Sequence, residues 1–109
     1  MELQLKNKVA FITGAAHGQG RAAALALAAE GVHIAAFDIG KQLKYPKYKF
    51  GSSDELKSLQ KECKKMGVKC LIHLGDVRND KEVTAAVEST IKTFKKIDIL
   101  FNNAGICAY

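Results

Sequence analysis

The stretch TGAAHGQG, residues 13–20, limits what this chain can fold into more than any other. It follows an apolar, β-prone run, KVAFIT at 8–13, and leads into AAALALAAE at 22–30, a strong helix former that stops at Gly31. A strand that turns directly into a helix leaves little room for side chains. Gly14 can make the turn, Gly18 lets the backbone approach a bound group, and Gly20 lets the helix pack closely on the strand. Such a turn gathers unpaired N–H groups and the positive end of the helix dipole, a combination that favours a phosphate. No GK[ST] follows the loop, so a P-loop NTPase is not expected.

The rest of the chain repeats the strand-helix alternation. VHIAAFD at 32–38 is a second near-continuous apolar run, as expected for a strand covered on both faces. GKQLKYPKYKF, from Gly40 to Phe50, is polar, lysine-rich and holds the only proline, which predicts a loop. Ser52 stands three residues before Glu55, a capping-box spacing, and Leu56, Leu59, Cys63 and Met66 recur at helical intervals until Gly67. VKCLIHL at 68–74 predicts a third strand. Asn79 and Glu82 can open a third helix with the stripe Val83, Ala86, Val87, Ile91 and Phe94, before a fourth strand, IDILFN, at 97–102. The pattern βαβαβαβ predicts a parallel α/β sheet with right-handed crossovers. We expect one dinucleotide-binding domain over residues 1–109, with a basic insertion at about 40–52.

Composition narrows the partners. No apolar run approaches the roughly 18 residues of a membrane helix, and MELQLKNKVA lacks the pattern of a secretory signal, so a cytoplasmic, non-membrane protein is expected. Cys63, Cys70 and Cys107 form no CxxC pair and no metal-ligand spacing, and read as small buried hydrophobes. The net charge of +6 is local: between Lys41 and Lys69 nine lysines face three acidic residues, and the remaining charges cancel. Without arginine or a repeated basic-aromatic pattern, this segment reads as a solvated helix face with a loop before it, and nucleic acid is not an expected partner.

Asp38 ends the second apolar run, 18 positions beyond Gly20. An acid there can accept both ribose hydroxyls of an adenosine and repel a 2′-phosphate, which selects NAD over NADP. With this acid added, TGAAHGQG resembles the TGxxxGxG cofactor loop of the short-chain dehydrogenases/reductases. NNAG at 102–105 is similar to the motif after that family's fourth strand, and Asp76 in LGDV falls where the family has an adenine-contacting aspartate. These landmarks keep the family's order across essentially the whole chain.

The resemblance implies a Rossmann-like sheet of order 3-2-1-4, truncated relative to the family. It implies that Asp38, Asp76 and Val77 bind the adenosine side, Gly18 and Gln19 the pyrophosphate, and Asn103, Ala104 and Gly105 the nearby ribose region, with Gly14, His17, Gly20 and Ile39 completing the set. Structural roles compete: Asp76 can cap a turn, and Asn102 and Asn103 can bond backbone within the sheet. GQGR at 18–21 and the extended segment 38–56 are similar to members associated with tightly held NAD and mycofactocin.

The family moves a hydride between NAD and a secondary alcohol or carbonyl, using a serine, a YxxxK pair and an asparagine. All of these, the asparagine standing on the next helix, lie beyond the NNAG segment, so no catalytic residue is assigned here and the chain is expected to bind without turning over. Tyr45 and Lys49 match YxxxK by spacing only, because Pro46 argues for a loop. His33 and His73 read as packed histidines, and Cys107 and Tyr109 have no partner base. The alternative is a non-catalytic nucleotide-binding or interaction module using the lysine-rich segment. Order 3-2-1-4 leaves one sheet face to the third helix alone, which predicts self-association, a homodimer or larger, with a swapped fourth strand as a variant.

Overall fold

A computed structural model describes residues 5–16, 18–38, 52–76 and 78–102, with only the backbone of 52 and 53. Seven elements alternate: β1 (Val9–Thr13), α1 (Gly18–Ala29), β2 (His33–Asp38), α2 (Ser52–Lys65), β3 (Cys70–Leu74), α3 (Asp80–Phe94) and β4 (Ile99–Asn102). The strands form one sheet in the order β3-β2-β1-β4, and every pairing is parallel. The fold class and strand order expected from the sequence are those observed.

Alternation along the strands divides the core into two layers. Ala10, Ile12, Ile34, Ala36 and Cys70 face α1 and α2, where they join Ala24, Ala28, Leu56, Leu59 and Cys63. Phe11, Ala35 and Phe37 face α3 and meet Ala86, with Val83, Val87 and Ile97 at the margin. All five residues of β1 are buried, as are the last five of β2, which is why both read as apolar runs rather than alternating ones.

Small side chains set how close α1 sits. Its buried residues are Gly20, Ala24 and Ala28, one per turn on a single line, so the helix axis can approach the sheet more closely than with leucine there. Gly31 ends it in the left-handed region at φ 89°, with its N–H on the Ala28 carbonyl at 3.0 Å. Helix α2 buries Leu56, Leu59 and Cys63 and is tied to β3 by Gln60 Nε2 donating to the Cys70 carbonyl at 2.7 Å. Met66 departs from the expected stripe: it lies past the last helical residue, Lys65, and is exposed. The capping reading of Ser52 rests on a side chain outside the described residues, but the Ser52 backbone is already helical.

Helix α3 opens as expected at Asn79, whose Oδ1 accepts from the N–H groups of Lys81 and Glu82 at 3.0 and 3.2 Å. Glu82 differs from expectation: its Oε1 accepts from the Asp76 N–H at 2.7 Å, reaching past the cap instead of closing a capping box. Ile91 also differs, being exposed, while Thr90 is fully buried and donates to the Ala86 carbonyl at 2.8 Å. β4 is held at its start by Asp98, whose Oδ2 accepts the Val9 N–H at 2.8 Å while its own N–H donates to the Val9 carbonyl at 2.8 Å.

Candidate functional site

Every described candidate residue lies at the carboxyl end of the sheet. The loop after β1, the last residue of β2, the turn after β3 and the end of β4 converge there. β1 lies between two neighbours whose connections run to opposite sides, and open α/β sheets place their ligands outside the strand ends at such a switch point.

The loop is held by the neighbouring strand. The Ala15 N–H donates to the Phe37 carbonyl at 3.3 Å, and the Ala16 N–H donates to Asp38 Oδ2 at 2.9 Å. Ala15 and Ala16 are fully buried, so these bonds are shielded from water. Gly14 and Gly18 lie in the left-handed region at φ 64° and 65°, which explains why glycine is required at both. A Cβ on Gly18 would meet nothing within 4 Å, so the space over it is open among the described residues. Helix α1 begins at Gly18, four residues earlier than the alanine run at 22–30 alone indicates, with no acidic residue in its first turn. Its first N–H groups and the positive end of its dipole therefore carry no side-chain counter-charge on that turn. Gln19 is exposed beside them, and Gly20 is buried against the sheet.

Asp38 is 8% exposed and belongs to two contacts at once, since its carbonyl accepts from the Gly75 N–H at 2.9 Å. That bond brings the β3 exit turn, and Asp76 with it, beside the glycine loop. Gly75 is required there for space: an added Cβ would come within 2.9 Å of Phe37 Cζ and 3.2 Å of Glu82 Cβ. At the end of β4, Asn102 Oδ1 accepts from Thr13 Oγ1 at 2.9 Å, joining the two strands next to the loop. His17, Ile39, Val77, Asn103, Ala104 and Gly105 lie outside the described residues, as do Cys107, Tyr109 and the loop carrying Tyr45 and Lys49.

Three residues of this region make contacts that the sequence alone did not point to. Arg78 grips the Asp76 carboxylate with Nε and Nη2, the closest contact being 2.7 Å, and that carboxylate raises the pKa of its guanidinium. Glu82 holds the Asp76 N–H. Arg21 donates to the Glu55 carbonyl at 3.0 Å and to Ser58 Oγ at 3.1 Å, so it links α1 to α2. Spacing offered a signal only for Arg78, two residues after an aspartate in a turn.

The remaining titratable groups belong to packing. His33 stacks on Phe94 with ring centroids 5.5 Å apart, and its Nδ1 accepts from the Lys69 N–H at 3.0 Å. Burial, then the charges of Lys69 and Lys96, lower its pKa. His73 is half-buried on the α3 side with its pKa lowered by burial, and its Nε2 has no partner among the described residues. Cys63 and Cys70 are buried free thiols, and a hydrogen bond to Cys63 together with burial drives the Cys70 pKa far up, which keeps it unreactive. No group of histidine, cysteine and carboxylate side chains suited to a metal exists among the described residues, and no described helix is long and apolar enough to cross a membrane.

A profile of the family described as short chain dehydrogenase matches residues 8–109. The chain is 36% identical over 105 residues to (-)-trans-carveol dehydrogenase of Rhodococcus erythropolis, an alignment covering 96% of this chain and 38% of that protein. Among solved structures, carveol dehydrogenase from Mycobacterium avium in complex with NAD superposes with a TM-score of 0.86 at 35% identity, covering 93% of this chain and 36% of that one. A short chain dehydrogenase from Mycobacterium paratuberculosis bound to NAD gives 0.87 at 35% identity, covering 97% and 40%. The sequence thus spans well under half the length of these relatives.

Proposed function

The chain belongs to the short chain dehydrogenase family, and on that premise we propose that it is the NAD-holding part of an oxidoreductase that moves a hydride between NAD and a secondary alcohol or carbonyl. The observation that carries this reading is the Asp38 carboxylate. It stands buried at the end of β2, bonded to the Ala16 N–H of the glycine loop at 2.9 Å, where a dinucleotide's adenosine ribose would sit next to its pyrophosphate.

The residues present fit the cofactor. Gly18 leaves the loop backbone clear, Gly14 makes the left-handed turn, and the start of α1, with no acidic residue in its first turn, supplies N–H groups for the pyrophosphate. Asp38 accepts from the ribose hydroxyls and repels a 2′-phosphate. By the family resemblance Asp76 and Val77 would bind the adenosine side, and Asn103, Ala104 and Gly105 the nearby ribose region. When bound, NAD supplies the hydride acceptor or donor. This segment holds and orients the cofactor, and the serine, tyrosine and lysine that handle the substrate proton follow NNAG in the family.

Self-association forms part of the proposal. Leu100, on the α3 side of β4, is 69% exposed, and Ile91 on α3 is 45% exposed, so apolar surface stands open beside the last strand. A second copy covers it in a homodimer.

Titration calorimetry of the 109-residue chain with NAD and NADP, repeated with Asp38→Asn, tests the cofactor reading. The asparagine keeps an acceptor for the Ala16 N–H but removes the negative charge. NAD should outcompete NADP in the parent, and the preference should shrink about tenfold or more in the variant, the size expected from losing a charged hydrogen bond and its repulsion. Equal affinities in the parent refute the assignment of Asp38. A monodisperse monomer in sedimentation refutes the dimer.

A further inference from the structure

Arg78 engages the Asp76 carboxylate from several directions. Oδ1 accepts from the Arg78 main-chain N–H at 2.9 Å and from its Nε at 3.0 Å, and Oδ2 accepts from Nε at 3.1 Å and Nη2 at 2.7 Å. A carboxylate offers about four lone-pair sites. Arg78 makes four contacts with them.

The two partners are not equally fixed. Asp76 is anchored through its backbone: its N–H is bound by Glu82 Oε1 at 2.7 Å, its carbonyl accepts from the Asn79 N–H at 2.8 Å, and its neighbour Gly75 is tied to Asp38. Its side chain is 28% exposed, whereas that of Arg78 is 80% exposed. An open cleft of about 590 Å³ beside the pair, lined by Asp76, Arg78, Asn79, Asp80, Lys81 and Glu82, gives the guanidinium space and other carboxylates to turn toward. Asp76 is therefore the fixed acceptor, and Arg78 the donor that can leave.

We propose that Arg78 competes with the adenine 6-amino group for the Asp76 carboxylate, and so sets how sharply the chain selects an adenine dinucleotide. This rests on the reading of Asp76 as the adenine-contacting residue. The amino group is a donor and takes the acceptor that Nη2 now holds. A purine with a 6-oxo group carries an acceptor in place of that amino group: its O6 is repelled by the carboxylate and can accept from the guanidinium, and the ring N1–H is the donor left on that edge. Arg78 thus weakens the preferred base and tolerates the wrong one, and removing it moves the two affinities in opposite directions. A merely structural role in the turn moves both together.

The test is calorimetric titration of the full chain, Arg78→Ala and Arg78→Lys with NAD and with nicotinamide hypoxanthine dinucleotide. Arg78→Ala should bind NAD about two- to fivefold more tightly, the range set by an exposed ion pair, and the hypoxanthine analogue no more tightly than the parent does. Arg78→Lys should fall between, since an ammonium cannot span both oxygens in a fork. A preference that is unchanged or reduced in Arg78→Ala overturns the proposal, as does an equal change in both affinities. If the parent binds both dinucleotides equally, the adenine role of Asp76 fails and takes this inference with it, while the glycine-loop site stands. Binding of neither refutes both readings.

Discussion

Gly75→Ala puts one methyl group where the sheet, α3 and the β3 exit turn meet. The new Cβ would lie 2.9 Å from Phe37 Cζ, 3.1 Å from Cε2 and 3.2 Å from Glu82 Cβ. Phe37 is 1% exposed and packed against Phe11 with centroids 6.1 Å apart, so its ring cannot yield without disturbing the α3 layer. The backbone cannot retreat easily either, because the Gly75 N–H is bound to the Asp38 carbonyl at 2.9 Å. Overpacking of this kind costs about 1–3 kcal/mol, and the upper part of that range applies because the obstructing atoms belong to a closed aromatic cluster. Gly75 is not in the left-handed region, so alanine also returns about 0.4–1 kcal/mol by restricting the unfolded chain. The net expectation is a loss of about 1–2 kcal/mol. With a urea m-value of about 1–3 kcal/mol/M, the unfolding midpoint should fall by roughly 0.3–2 M. In a Phe37→Leu background, where the ring is absent, the penalty of Gly75→Ala should shrink to under about half. Equal or greater stability of Gly75→Ala, or an undiminished penalty beside Phe37→Leu, would refute the crowding account.

Two further expectations concern pH. The Val9 N–H, and then Lys96, hold the Asp98 carboxyl below its ordinary range, so its contribution to stability is complete above the unfolded value near 3.9 and is lost as pH falls through the lower folded value; Asp98→Asn should flatten that limb of a stability-pH curve while keeping an acceptor for Val9. His33 is lowered by burial and by Lys69 and Lys96, so its neutral form stabilises the fold fully above about 6.5 and stability drops as pH falls from there toward the folded value; its ring protons in an NMR titration should report a pKa under 6.5, and His33→Gln should remove that part of the dependence.

Much of the architecture was legible because it rests on sequence-local physics. β1 and β2 are buried on both faces and therefore read as unbroken apolar runs, and the glycines at 14, 18, 31 and 67 mark four points of positive φ. The parallel order followed from crossover length and from the family resemblance of TGAAHGQG and NNAG. Misreadings arose where a neighbour decides. A helical period fixes a stripe only to within a residue or so, and α3 turns Val83, Ala86, Val87 and Thr90 inward, leaving Ile91 about 100° around the helix from Thr90 on its flank. Glu82 stands at a capping-box position, yet the nearby turn offers it the Asp76 N–H instead. Asp38 was legible as an acid at a strand end, but its bond to Ala16 depends on how the loop folds back over β2. The grip of Arg78 on Asp76 had only a two-residue spacing to announce it, a pattern common in turns.

The clasp between Val9 and Asp98 joins groups 89 positions apart, whereas Val9 meets its other neighbour, His33, after 24. The added separation costs little free energy, since each doubling of a closed loop costs only about 0.6 kcal/mol. It costs time. On a ribosome adding about 5–20 residues per second, the stretch from His33 to Asp98 takes roughly 3–13 s to make, and for that interval β1 is an edge strand. Its sequence, VAFIT, carries no charge to discourage pairing with another nascent chain. A strand that ends up between two neighbours in the finished sheet thus spends that interval with one edge open while the sheet is being made.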